Sequence, residues 1–274
     1  MILTALAVGA LIGLVVGALG AGGGILSVPA LIYLLGVAPH EATSASLVIV
    51  LFTALAALGG RIGKNTICYQ IALVFAALAI AGTWLGSLAN QAVSADLLMY
   101  AFALLLACVG LVMLRRAYVS SDDGAAAADD ADGTGSTPAL RAVSAMGEVT
   151  SIGAVPLWRV ALVATITGAL TGFFGVGGGF AIVPALTLVL HLPIKRAAST
   201  SLLIMTITAV VALVARAQTS LNVDLGVIGA FTVASMLGSV AGAPLTRKVS
   251  SQKLTASFAV LLLAVAVATL VGQS

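Results

Sequence analysis

Two stretches of the chain place glycine where an apolar helix would otherwise continue. Gly20, Gly22, Gly23 and Gly24 form the first, and Gly175, Gly177, Gly178 and Gly179 the second. Each is followed by the same Val-Pro-Ala-Leu, containing Pro29 in one case and Pro184 in the other. Glycine costs about 1 kcal/mol relative to alanine in a helix interior, so consecutive glycines break a helix. The helix that restarts after Gly24 or Gly179 points its first N–H groups at the break. A helix N terminus carries about half a positive charge and binds anions. Ser44 and Ser46 follow the first cluster, and Ser199, Thr200 and Ser201 follow the second. Their hydroxyls can cap the next helix or donate to an anion. Arg61 and Arg216 stand near helix ends, as snorkelling anchors or as charges that gate or attract a substrate.

Other chemistries find no residues to support them. The glycine clusters lack the Lys-Ser/Thr of a phosphate-binding loop, and no strand or acidic partner supports a dinucleotide site. No metal-ligand spacing, nucleophile elbow or carboxylate pair is present, so neither an enzyme nor a cofactor is expected. Glu41, Asp96 and Asp224 lie at the edges of apolar segments and none lies in the middle of one. Cation and proton carriers commonly use intramembrane carboxylates, which leaves an anion as the expected cargo. His40 and His191 fit interfacial positions, and Cys68 and Cys108 fit small core residues with no disulfide framework.

The elements that must position these groups are helices in a bilayer. The chain has 274 residues, of which 61% are hydrophobic and only 8% charged. Soluble domains carry about 25% charged residues, so this chain cannot cover a water-facing surface. Val160–Ile194, Ala197–Ala215 and Leu225–Thr246 contain no Lys, Arg, Asp or Glu, and a spanning helix needs roughly 20 apolar residues. Period-2 alternation is missing, which argues against a barrel. Met1–Gly20 has no basic residue ahead of its apolar run and reads as a first transmembrane element. The net charge of +3 comes from basic residues at helix ends, where topology explains them and nucleic acid is not implied.

The chain repeats itself. Gly13–Arg61 aligns without a gap on Gly168–Arg216, with 21 of 49 positions identical. The matches include the glycine clusters, both prolines, Ser44/Ser199, Ser46/Ser201 and Arg61/Arg216. Farther on, Gly86-Ser87 and Gly238-Ser239 are equivalent. The expected organisation is a first transmembrane repeat over 1–114, an acidic, largely disordered cytoplasmic linker over 115–157, and a second repeat over 158–274. Taking each glycine cluster as a turn puts eleven of the twelve Lys and Arg on one side, with Arg216 alone opposite. That is the bias of the positive-inside rule. It makes the halves inverted-topology repeats, a common transporter plan with the site near the midplane.

The duplicated Gly-x-x-Gly-x-Gly-Gly-Gly pattern, Gly17 to Gly24 and Gly172 to Gly179, each followed by Pro-Ala-Leu, is similar to the TauE/SafE family of sulfite exporters. The resemblance implies a bacterial inner-membrane, multi-pass transporter for small sulfur-containing anions such as sulfite or an organosulfonate. It points to Gly20, Gly22 to Gly24, Pro29, Gly175, Gly177 to Gly179 and Pro184 as substrate-path residues. The partners expected are the small anion and the lipid bilayer. A coupling ion, proton or sodium, and a homo-oligomer are left open. A channel or transporter for another inorganic or carboxylate anion is the alternative. Cys68 and Cys108 have no repeat mates, which argues against thiosulfate chemistry at cysteine.

Overall fold

The computed structural model describes residues 2–19, 24–60, 67–122, 151–152, 155–216, 225–242 and 251–271. The first half comprises α1 (Ile2–Leu19), α2 (Gly24–Tyr33), α3 (Pro39–Gly59), α4 (Tyr69–Ala92) and α5 (Ala95–Asp122). A hairpin of two short strands follows, β1 (Ser151–Ile152) and β2 (Val155–Pro156), paired antiparallel. The second half comprises α6 (Leu157–Phe174), α7 (Gly179–Leu188), α8 (Ile194–Ala215), α9 (Leu225–Gly242) and α10 (Ser251–Val271). Among the described residues the protein is all-α apart from that hairpin, which lies directly ahead of α6 within the stretch expected as linker. Residues 123–150 of that stretch lie outside the described residues.

Among the described residues, five helices are long and apolar enough to cross a membrane: Pro39–Gly59, Tyr69–Ala92, Ala95–Arg115, Leu157–Phe174 and Arg196–Ala215. Their outward faces carry large apolar side chains such as Leu73, Leu85, Leu104 and Leu162, all exposed. In water such a surface would be an aggregation hazard. In a bilayer it is the contact with lipid. The inward faces mix fully buried apolar side chains such as Phe75 and Phe102 with buried Ser and Thr such as Ser46 and Thr83. The chain is a multi-pass membrane protein.

The two halves are interleaved. Helix α1 runs along α9, and α4 runs along α6. Because α1 and α6 are repeat equivalents, as are α4 and α9, each half packs its first helix on the other half's fourth. The same exchange relates α4–α8 to α3–α9. In both long pairs glycine brings the backbones together. A Cβ on Gly82 or Gly86 would overlap the backbone of Thr165 or Ala169, and one on Gly168 or Gly172 would overlap that of Ala79 or Thr83. Gly13 and Gly17 abut Ser235 and Ser239 in the same way. Small residues spaced by four are how helices approach closely in lipid, where apolar burial gives no separate drive.

The short helices α2 and α7 also end alike. The Val37 N–H donates to the Leu31 carbonyl over 3.0 Å, and the Leu192 N–H donates to the Leu186 carbonyl over 3.1 Å. Between them Gly36 takes φ 67° and its repeat mate His191 takes φ 53°. At both ends a left-handed residue turns the chain so that the next N–H reaches a carbonyl six residues back. The second half achieves this with a histidine, at some conformational cost.

Candidate functional site

The helix break expected at Gly175–Gly179 is present. Helix α6 stops at Phe174, where Gly175 takes φ 64° and ψ 20° and returns its N–H to the Thr171 carbonyl. Gly177 and Gly178 each take φ 69°, and Gly178 is the N-cap of α7. The Ile182 N–H reaches back to the Gly178 carbonyl over 2.7 Å. Three left-handed residues in four positions explain why this segment is glycine. Space requires glycine as well, since a Cβ on Gly177 would strike Val50 and one on Gly178 would strike Thr171. Gly24, at the start of α2, lies so close to the Val176 backbone that a Cβ would overlap it. The first break's restart therefore touches the second break. Gly20, Gly22 and Gly23 lie outside the described residues.

Arg216 governs the chemistry of this region. It caps the C terminus of α8 and is only 4% exposed. It is no snorkelling anchor: its guanidinium turns inward, across to the other half. Nη1 donates to the Thr43 hydroxyl over 2.9 Å and to the Ser44 hydroxyl over 3.2 Å. Nη2 donates to the Gly172 carbonyl and, over 3.4 Å, to the Phe173 carbonyl. These are the last carbonyls of α6, which carry the negative end of its dipole. Arg216 Nε has no hydrogen-bond partner. Burying a charged donor without a partner is costly. Arg216 lines a cavity of about 240 Å³ together with His40, Ser44, Asn90 and Gln91. None of these five carries a negative charge.

Asn90 lines the same cavity. It is 2% exposed, and its Nδ2 donates to the Phe173 carbonyl over 2.6 Å. With that end acting as donor, its Oδ1 faces His40 Nδ1 at 3.4 Å. His40 in turn anchors the first turn of α3, its carbonyl accepting from the Thr43 hydroxyl over 2.8 Å and the Ser44 hydroxyl over 3.2 Å.

The expected site residues divide into two groups. Ser44, Ser46, Gly175 and Arg216 come together at the second break. Ser46 donates to the Gly175 carbonyl and, over 3.1 Å, to the Thr43 carbonyl. None of the serines caps a helix, because α3 and α8 begin after Ala38 and Pro193 with no side-chain cap. Ser199, Thr200 and Ser201 are buried on α8. Ser201 donates to the Ala198 carbonyl over 3.0 Å, and Thr200 accepts from the Cys68 N–H over 3.1 Å. Pro29 and Pro184 lie inside α2 and α7, five residues after Gly24 and Gly179. Arg61 lies outside the described residues. His40, Thr43, Asn90 and Gln91 were not anticipated from sequence as site residues. A buried asparagine in the apolar run Tyr69–Ala92 was the available signal.

Residues 5–269 match the family described as Sulfite exporter TauE/SafE. A "Probable membrane transporter protein" of Xylella fastidiosa (strain 9a5c) is 34% identical over 262 residues, covering 94% of this chain and 91% of that protein. A second, from Xylella fastidiosa (strain Temecula1 / ATCC 700964), is 33% identical over the same shares of both chains. "Probable membrane transporter protein YunE" of Bacillus subtilis (strain 168) is 28% identical over 209 residues, 72% of this chain and 71% of that one. No solved structure matches the chain.

Proposed function

This chain belongs to the Sulfite exporter TauE/SafE family, and on that premise we propose that it exports a small sulfur-containing anion, sulfite or an organosulfonate, across the bacterial inner membrane. The observation that carries this reading is Arg216: a buried guanidinium with a spare Nε–H, on a cavity whose lining has no carboxylate. A guanidinium suits an oxyanion because it keeps its charge and its remaining Nε–H can donate to an anion oxygen. Many moderate donors in place of one strong ion pair let the anion leave again.

The mechanism proposed is alternating access. The halves act as inverted repeats, with the basic side and the linker in the cytoplasm. The contact of Gly24 with Val176 supports a single path shared by both breaks. A carboxylate or another inorganic anion is the second reading, because guanidinium pairs with those groups too.

Purified protein in proteoliposomes tests this directly. Sulfite flux should saturate, accelerate with sulfite on the far side, and fall when an organosulfonate competes. Flux of a carboxylate that sulfite does not inhibit would overturn the substrate class.

A further inference from the structure

A helix broken inside a membrane exposes two opposite ends. The start of α7 presents N–H groups and partial positive charge, whereas the end of α6 presents carbonyls and partial negative charge. Unwound carbonyls of this kind are the material of sodium sites in broken-helix transporters. An anion site at such a break must therefore hide them.

At the end of α6 the carbonyls of Thr171, Gly172, Phe173 and Gly175 are hidden. The Thr171 carbonyl accepts from the Gly175 N–H over 3.0 Å. The Gly172 carbonyl accepts from Arg216 Nη2 and from Ser87 Oγ, the latter over 3.5 Å. The Phe173 carbonyl accepts from Asn90 Nδ2 over 2.6 Å and from Arg216 Nη2 over 3.4 Å. The Gly175 carbonyl accepts from Ser46 Oγ. The side-chain donors arrive from α3, α4 and the end of α8, and they converge on one helix terminus.

Asn90 stands out among them. Counting from the equivalent pairs Gly86-Ser87 and Gly238-Ser239, its repeat mate is Gly242. Gly242 packs directly on the Leu14 backbone and has no side chain to donate. The same place in the fold thus holds a packing glycine in one half and a buried carboxamide in the other. The carboxamide lines the cavity and makes the shorter of the two bonds to Phe173.

We propose that these carbonyl caps keep the negative end of α6 from opposing an anion, with Asn90 the positioning residue that completes the cap on Phe173. With Asn90 in place, the cavity offers donors and an oxyanion binds. Without it, the Phe173 carbonyl keeps only the 3.4 Å bond from Arg216, and its freed lone pair opposes the anion. The proposal rests on the reading of this cavity as an anion site.

The test measures sulfite flux against concentration in proteoliposomes of the wild type, Asn90→Leu, Asn90→Gln and Asn90→Ala. Asn90→Leu keeps the branched shape and removes the donor. It should raise the sulfite KM about tenfold with a much smaller change in kcat. Asn90→Gln keeps a carboxamide, so it should retain part of the affinity. A wild-type sulfite KM in Asn90→Leu would overturn the proposal. If that variant does not fold, Asn90→Ala must show the same raised KM, and its wild-type behaviour would overturn it equally. Absence of sulfite flux and of sulfite binding in the wild type would instead remove the anion site, and this proposal with it.

Discussion

Arg216 and Thr43 lie 173 residues apart in sequence and are joined by a 2.9 Å hydrogen bond between Nη1 and the hydroxyl. The bond ties the end of α8 in one half to the first turns of α3 in the other. Hydrogen bonds to charged groups contribute about 1.5–3 kcal/mol, and about 1.4 kcal/mol is a tenfold change in affinity. Arg216→Gln is therefore expected to weaken sulfite binding by about 10- to 100-fold. Arg216→Lys should fall between, keeping the charge and losing the planar fork. Calorimetric titration of the solubilised protein measures both.

The break itself makes a stability prediction. Gly178 takes φ 69°, and a Cβ there would strike Thr171. A left-handed conformation costs a residue with a Cβ about 1–2 kcal/mol before any clash. Gly178→Ala is expected to destabilise the protein by at least about 2 kcal/mol, read as a lower Tm in detergent.

His191 predicts the opposite sign. It is exposed and holds φ 53°, where its repeat mate is Gly36. His191→Gly relieves the strain while the Leu192-to-Leu186 bond stays. A gain of about 1 kcal/mol is expected in thermal unfolding, with sulfite flux unchanged.

Glycines inside the long helices should separate by position. Gly86 abuts the backbone of Ala169, whereas Gly229 has nothing within 4 Å of a built Cβ. Gly229→Ala should gain roughly 0.5–1 kcal/mol from helix propensity. Gly86→Ala should lose stability, because it pushes α4 away from α6. Equal shifts in Tm would contradict the packing described.

Much of this was legible from residue types alone. Charge-free runs indicated helices in lipid, and the matched Gly, Pro, Ser and Arg of the two halves located the second break and its arginine. The left-handed glycines follow from the same cluster, since only glycine adopts that backbone freely. The partners of Arg216 were hidden because they depend on tertiary placement. Thr43 is alanine in the other repeat and Asn90 is glycine there, so a search for matched positions passes over both. From sequence alone His40, next to Glu41 in an expected loop, fits an interfacial position. It reaches the cavity only because the start of α3 packs near the end of α4. The interleaving of α1 with α9 was equally invisible, since Gly13 and Gly17 could have packed on any neighbour.

The most direct test of the central claim is initial-rate sulfite flux against concentration, in proteoliposomes carrying equal amounts of folded wild-type and Arg216→Gln protein. Saturable flux in the wild type, with at least a tenfold loss of kcat/KM in the variant, is the expected result. Wild-type flux that persists undiminished in Arg216→Gln would contradict the site, and no sulfite flux from either protein would contradict the cargo.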